Sequence, residues 1–117
     1  MGKFSILLID DEPVLLRTTE QILRASGYTA SVAADADAAS RLIGGVRFDL
    51  VLLDCIPERE LVIDQAQSAK PTIPVVLLTG DPQVDQLPGV QLVLHKPVPP
   101  SGLLVTIPNL LQSSKVA

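Results

Sequence analysis

Four short apolar runs, each ending on a polar residue able to do chemistry, constrain this chain more than any other feature. Phe4 to Ile9 ends at Asp10-Asp11, and Leu50 to Leu53 ends at Asp54. Ile73 to Leu78 ends at Thr79-Gly80, and Val90 to His95 delivers Lys96-Pro97. Short runs rich in Val, Ile and Leu, with little polar alternation, suit strands buried on both faces of a parallel sheet. In an open α/β sheet, ligands bind beyond the carboxyl ends of the strands, near the point where strand order reverses. Three carboxylates, one hydroxyl and one ammonium are thereby directed to one edge. That set suits a divalent cation together with a phosphoryl group.

Helical patterns separate the runs. Pro13 fits the first turn of a helix, where its missing N–H is no loss. Val14, Leu15, Thr18, Ile22 and Leu23 fall at helical spacing and are expected to face the core, with Arg17, Glu20, Gln21 and Arg24 opposite. Gly27 is placed to end this helix. Tyr28 to Ala34 reads as a second strand, and Asp35 or Asp37 as the cap of a helix that stops at Gly44-Gly45. The third strand is expected over Asp49 to Leu53. Alternation of strand and helix implies parallel pairing through right-handed crossovers.

The second half thins its helices. Residues Pro57 to Ala66 allow two or three turns, and Pro71 and Pro74 prevent more. Between Thr79 and Val90, Asp81-Pro82 starts a turn that Pro88-Gly89 ends, so a full helix is not expected there. The last helix should begin near Ser101 as N-cap and bury Leu103, Leu104, Ile107, Leu110 and Leu111, with Pro108 kinking or splitting it. Residues 1–112 then form one domain, and 113–117 a polar tail or the start of a linker.

Composition removes several function classes. A chain of 117 residues with net charge −4 and nine scattered Lys and Arg carries no basic stripe, which argues against nucleic-acid binding through this domain. The single cysteine, Cys55, excludes an internal disulfide; it reads as a small buried residue, with a redox role as the sharper alternative. No stretch has the length of a membrane span, and the first residues do not resemble a signal peptide, so a cytoplasmic location is expected. His95 has no second His or Cys beside it and reads as an edge side chain. No Gly-rich phosphate loop appears, and there is no room for a cap over a phosphatase site, which argues against a nucleotide-binding enzyme or an external phosphatase.

Taken singly, each site residue has a plainer role: Asp10 and Asp11 as helix caps, Asp54 in a turn, Thr79-Gly80 as a strand exit, Lys96-Pro97 as a loop. Together and in this order they resemble the receiver domain of bacterial two-component response regulators, over essentially the whole chain. The resemblance implies a flavodoxin-like doubly wound sheet of five parallel strands in the order 2-1-3-4-5. Helices would cover both faces, the third and fourth being shortened or partly lost. It also implies that Asp54 is the phosphoacceptor, loaded from the phosphohistidine of a sensor histidine kinase or a phosphotransfer protein. Asp11 would bind Mg2+ directly, Asp10 through water, and Asp54 and the Ile56 backbone carbonyl would complete the metal's protein ligands. Lys96 and Thr79 would meet phosphoryl oxygens, with Gly80 leaving them room. The chemistry is consistent: a carboxylate attacks an anionic phosphoryl group only where a cation and donors offset the repulsion. At most such a chain phosphorylates and dephosphorylates itself.

Departures from the family pattern fall on the elements that read the phosphoryl group out. After Asp54, Pro57 comes early and Glu58-Arg59-Glu60 replaces a longer segment ending in Asp-Gly. The spacings from Asp54 to Thr79 and from Thr79 to Lys96 are shorter than usual. Val93 stands where the family carries an aromatic switch residue. The two functional expectations are therefore a phosphoacceptor receiver relaying to an unnamed output partner, and a receiver-like interaction module in which phosphorylation is lost or incidental.

Overall fold

The computed structural model describes residues 3–54 and 56–116, with side chains as far as residue 112. Cys55 therefore lies outside the described residues. Five strands form one sheet: β1 (Ser5–Ile9), β2 (Thr29–Ala33), β3 (Leu50–Asp54), β4 (Val75–Thr79) and β5 (Leu92–His95). All pairs are parallel and the order is β2-β1-β3-β4-β5, as the sequence resemblance implies. Among the described residues, four helices, α1 (Pro13–Ala25), α2 (Ala36–Gly45), α3 (Arg59–Ala69) and α4 (Pro100–Val116), cover the two faces. β3 and β4 are buried at every position, which is why their sequences are continuous apolar runs rather than alternating ones. One core layer joins Leu7, Ile9, Val51 and Leu53 to Ala39, Val62, Ile63 and Ala66 of α2 and α3. The other joins Ile6, Leu8, Leu50 and Leu52 to Leu23, Leu103, Ile107 and Leu111 of α1 and α4.

Several local expectations are corrected. The buried side of α1 is Leu16, Ile22 and Leu23, not the stripe beginning at Val14: Val14 is 70% exposed and Leu15 46%. The first turn of α1 follows β1 directly and lies at the carboxyl edge of the sheet, where there is little core left to cover. α2 is capped by Asp35, the first of the two candidates, whose Oδ1 accepts the Ala38 N–H at 2.8 Å, and it ends at Gly45 as the glycine pair signals. α4 begins at Pro100, so Ser101 lies inside the first turn. The Pro99 carbonyl accepts the first bonds, from Gly102 and Leu103. α4 is not split at Pro108, because the buried Ile107 and Leu111 on either side hold both halves against the sheet. Its backbone stays helical through 113–116.

The connection from β4 to β5 contains no helix, in line with the sequence reading. Side chains fasten this segment instead. His95 Nε2 lies 2.8 Å from the Val84 carbonyl, and Gln67 Nε2 donates to the Gly89 carbonyl at 2.7 Å. Val84, Leu87 and Val90 then pack on the core layer beside α3, together with the half-buried Val93. Gly89 has φ +83°, and a Cβ there would come within 2.6 Å of Ile63 Cγ2. Glycine is required at this position by both backbone and neighbour.

Candidate phosphoacceptor site

Asp10 directly follows β1, Asp54 and Thr79 are the last residues of β3 and β4, and Lys96 directly follows β5. Parallel pairing sets all of these strand ends on one edge. β2-β1-β3 places the first strand in the interior of the sheet, so the crevice where strand order reverses opens beside Asp10 and Asp54. Carboxylate oxygens of Asp10, Asp11 and Asp54 all lie within 4.8 Å of one another. Asp10 and Asp54 are buried, and Asp11 is exposed. Lys96 Nζ forms an ion pair with Asp54 Oδ1. Thr79 is buried; its Oγ1 accepts the Asp81 N–H at 3.1 Å, and its carbonyl accepts the Lys96 N–H at 2.7 Å. The hydroxyl thereby keeps its proton available to a ligand.

The electrostatics follow from crowding. Burial pushes the Asp10 carboxyl above its ordinary value; the Asp54 carboxylate pushes the same way, while the Glu12 backbone N–H and Lys96 oppose it. For Lys96, burial works to lower the pKa, but the hydrogen bond and charge of Asp54, with Asp10 and Asp11 behind it, raise it overall. The ammonium is thus held charged where anions collect. Three close carboxylates with hard oxygen donors suit a small divalent cation such as Mg2+.

Helix capping does not consume these residues. Glu12 is the N-cap of α1, its side chain accepting the Val14 N–H at 3.3 Å, and its own N–H donates to Asp10 Oδ1 at 2.9 Å. The sequence reading missed this role of Glu12, although its place just before Pro13 signals it. Ile56 is buried, and its N–H donates to the Asp54 carbonyl at 2.9 Å. Gly80 is exposed at the end of β4, and a Cβ there would meet nothing within 4 Å. The structure therefore gathers Asp10, Asp11, Asp54 and Lys96, with Thr79 on the neighbouring strand end, and leaves Gly80 at the open rim. Also missed was a cleft of about 370 Å3 that starts at Asp10 and Lys96 and is walled by Leu15, Thr19, Val98 and Leu103. Assigning Leu15 to the core concealed it.

The response regulator receiver domain pattern matches residues 6–107. The chain belongs to the response regulator receiver domain family. It is 29% identical over 113 residues to the TorCAD operon transcriptional regulatory protein TorR of Escherichia coli, covering 91% of this chain and 49% of TorR. It is 28% identical over 120 residues to the alkaline phosphatase synthesis transcriptional regulatory protein PhoP of Bacillus subtilis, covering 96% of this chain and 50% of PhoP. This receiver thus spans about half the length of those relatives. Among solved structures, a CheY-like response regulator receiver domain protein from Methanospirillum hungatei superposes with a TM-score of 0.86 at 27% identity, covering 97% of this chain and 98% of that one. The signal receiver domain of an HD domain-containing protein from Pseudomonas fluorescens gives a TM-score of 0.85 at 26% identity, covering 99% and 100%. No helix among the described residues of this receiver is long and apolar enough to cross a membrane.

Proposed function

We propose that this receiver takes a phosphoryl group onto Asp54 from the phosphohistidine of a sensor kinase or phosphotransfer protein and relays the signal to an output partner. The observation that carries this reading is the Asp54 carboxylate, which pairs with the Lys96 ammonium and shares a cluster with Asp10 and Asp11. A nucleophile for phosphoryl transfer needs positioning and charge compensation more than covalent help. Asp10, Asp11, Asp54 and the Ile56 carbonyl would hold Mg2+, which supplies positive charge to the incoming phosphoryl oxygens. Lys96 shifts its ammonium from Asp54 Oδ1 to a phosphoryl oxygen, and Thr79 donates its hydroxyl proton to another. Gly80 leaves that side open. Burial of Asp54 keeps water from competing at its oxygen.

Incubation with acetyl phosphate and magnesium, followed by intact-mass spectrometry, tests the proposal. One phosphoryl adduct is expected on the parent and none on Asp54→Ala; Lys96→Ala should slow labelling by roughly a hundredfold, the size of one lost charge stabiliser. A parent chain that stays unlabelled where an ordinary receiver is labelled points to the second reading, an interaction module without phosphotransfer. That reading draws on the helix-free connection of residues 80–91 and on Val93, which offers no large side chain to swing.

A further inference from the structure

The cleft between α1 and the β5–α4 corner begins at the same two residues that flank the phosphoacceptor. Asp10 and Lys96 stand at one end, and Leu15, Thr19, Val98 and Leu103 line the walls. Its volume of about 370 Å3 lies within the range of small-ligand sites, which are apolar pockets with a few convergent polar groups. Leu15 is nearly half exposed although it is a large apolar residue in a helix with core positions available nearby. An apolar wall left open beside charged catalytic groups marks a place for the apolar part of a ligand whose polar end lies at those groups.

Phosphoryl transfer proceeds in line, so the group that leaves must depart on the side of phosphorus away from the attacking Asp54 oxygen. Lys96, the partner of Asp54, and Asp10 of the acidic cluster both line the cleft, so a donor whose phosphoryl end lies between them sits at its mouth. We propose that this cleft receives the leaving group of a small phosphodonor and makes the receiver selective for acyl phosphates with an apolar chain, Leu15 and Val98 being the specificity-determining residues. The inference rests on the phosphoacceptor reading of Asp54. In the step, an Asp54 carboxylate oxygen forms a bond to phosphorus while the bond from phosphorus to the acyl oxygen breaks. The leaving group departs with its electron pair as a carboxylate, and no proton is transferred. Acetate and butyrate are leaving groups of nearly the same basicity, so a difference between their acyl phosphates reports contact with the chain and not intrinsic reactivity.

Initial rates of Asp54 labelling by acetyl phosphate and butyryl phosphate, at equal low concentrations in magnesium buffer, test it by intact-mass spectrometry. Two additional methylenes in a partly open apolar cleft should raise the rate about tenfold. The ratio should fall close to one in Leu15→Asn and in Val98→Ser; Leu15 is exposed enough that its replacement leaves the core intact. A second readout uses butylphosphonate, which cannot transfer its phosphorus, and should shift the methyl resonances of Leu15, Val98 and Leu103 while methylphosphonate does not. Equal rates from the two donors, with labelling intact, overturn the cleft assignment and leave the phosphoacceptor reading standing. A butyryl preference that survives both substitutions overturns it as well. Absence of an adduct from either donor overturns both readings.

Discussion

At Asp10, burial and charge oppose each other. Its native pKa is raised, chiefly by burial, so the folded chain binds this proton at pH values where the unfolded chain, near 3.8, has released it. Stability therefore falls as pH rises from about 3.8 through the native pKa, and above that window the penalty is present in full. Asp10→Asn keeps an oxygen for the Glu12 N–H and removes the charge. It should melt several degrees higher than the parent near neutral pH in EDTA, with the difference closing as pH falls toward 4. A constant difference across that range would show that Asp10 titrates normally. Glu58 presents a different strain: it enters α3 at φ 64° with no side-chain cap, and it is exposed. Glu58→Gly should stabilise by about 1 kcal/mol, since the left-handed region is unfavourable to residues with a Cβ. Chemical denaturation checks this, and a loss of stability would mean that the Glu58 side chain contributes more than its backbone costs.

At the scale of elements, sequence made the strands and their polar ends legible because both follow from simple patterns. Unbroken Val-Leu-Ile runs mark buried parallel strands, and the residue after each run falls at the sheet edge whatever the helices do. Helix faces were less legible. Val14 and Leu15 satisfy helical spacing as well as Leu16 and Ile22 do, and only the position of the first turn beyond the sheet decides which stripe is buried. Pro108 does not split α4 for a similar reason, since tertiary packing on both sides outweighs one lost backbone bond. The fastening of the β4–β5 connection was invisible, because His95, Gln67 and Gly89 come from three different parts of the chain. Gly89→Ala tests that fastening: it places a methyl against Ile63 at a backbone angle that suits glycine, and should destabilise by about 2 to 3 kcal/mol. Ile63→Ala in the same chain should recover part of the loss attributable to the clash; full additivity of the two changes would show that they do not meet.

For the whole molecule, the question is how far an event at Asp54 travels. Thr79 is the residue from which a shift would start, with Asp81 bound to its hydroxyl and His95 its register partner on β5. His95 in turn holds Val84, so a displaced Thr79 acts on the near half of the connection. Val93, a stiff β-branched residue among core side chains, has few other rotamers to occupy. Beryllofluoride with magnesium should therefore perturb amides at Asp54, Thr79, Asp81, Val84, His95 and Lys96, and leave Val93 and the exposed side of α4 around Val105 nearly unchanged. Broad, contiguous shifts along α4 in a heteronuclear correlation spectrum would instead reveal a second packing of the whole sheet edge, the requirement for a long-range switch.

The approach of Gly89 to Ile63 has one more consequence. The amide of Gln67 and the methyl of Ile63 hold the Gly89 end of the β4–β5 connection, and both belong to α3, the helix that follows the short loop after Asp54. The short loop after Asp54 and the helix-free connection are thus tied together through α3. Grafting a longer connection into residues 80–91 would take Gly89 away from those two side chains, and the chimera should regain stability when α3 and the loop after Asp54 are exchanged with it.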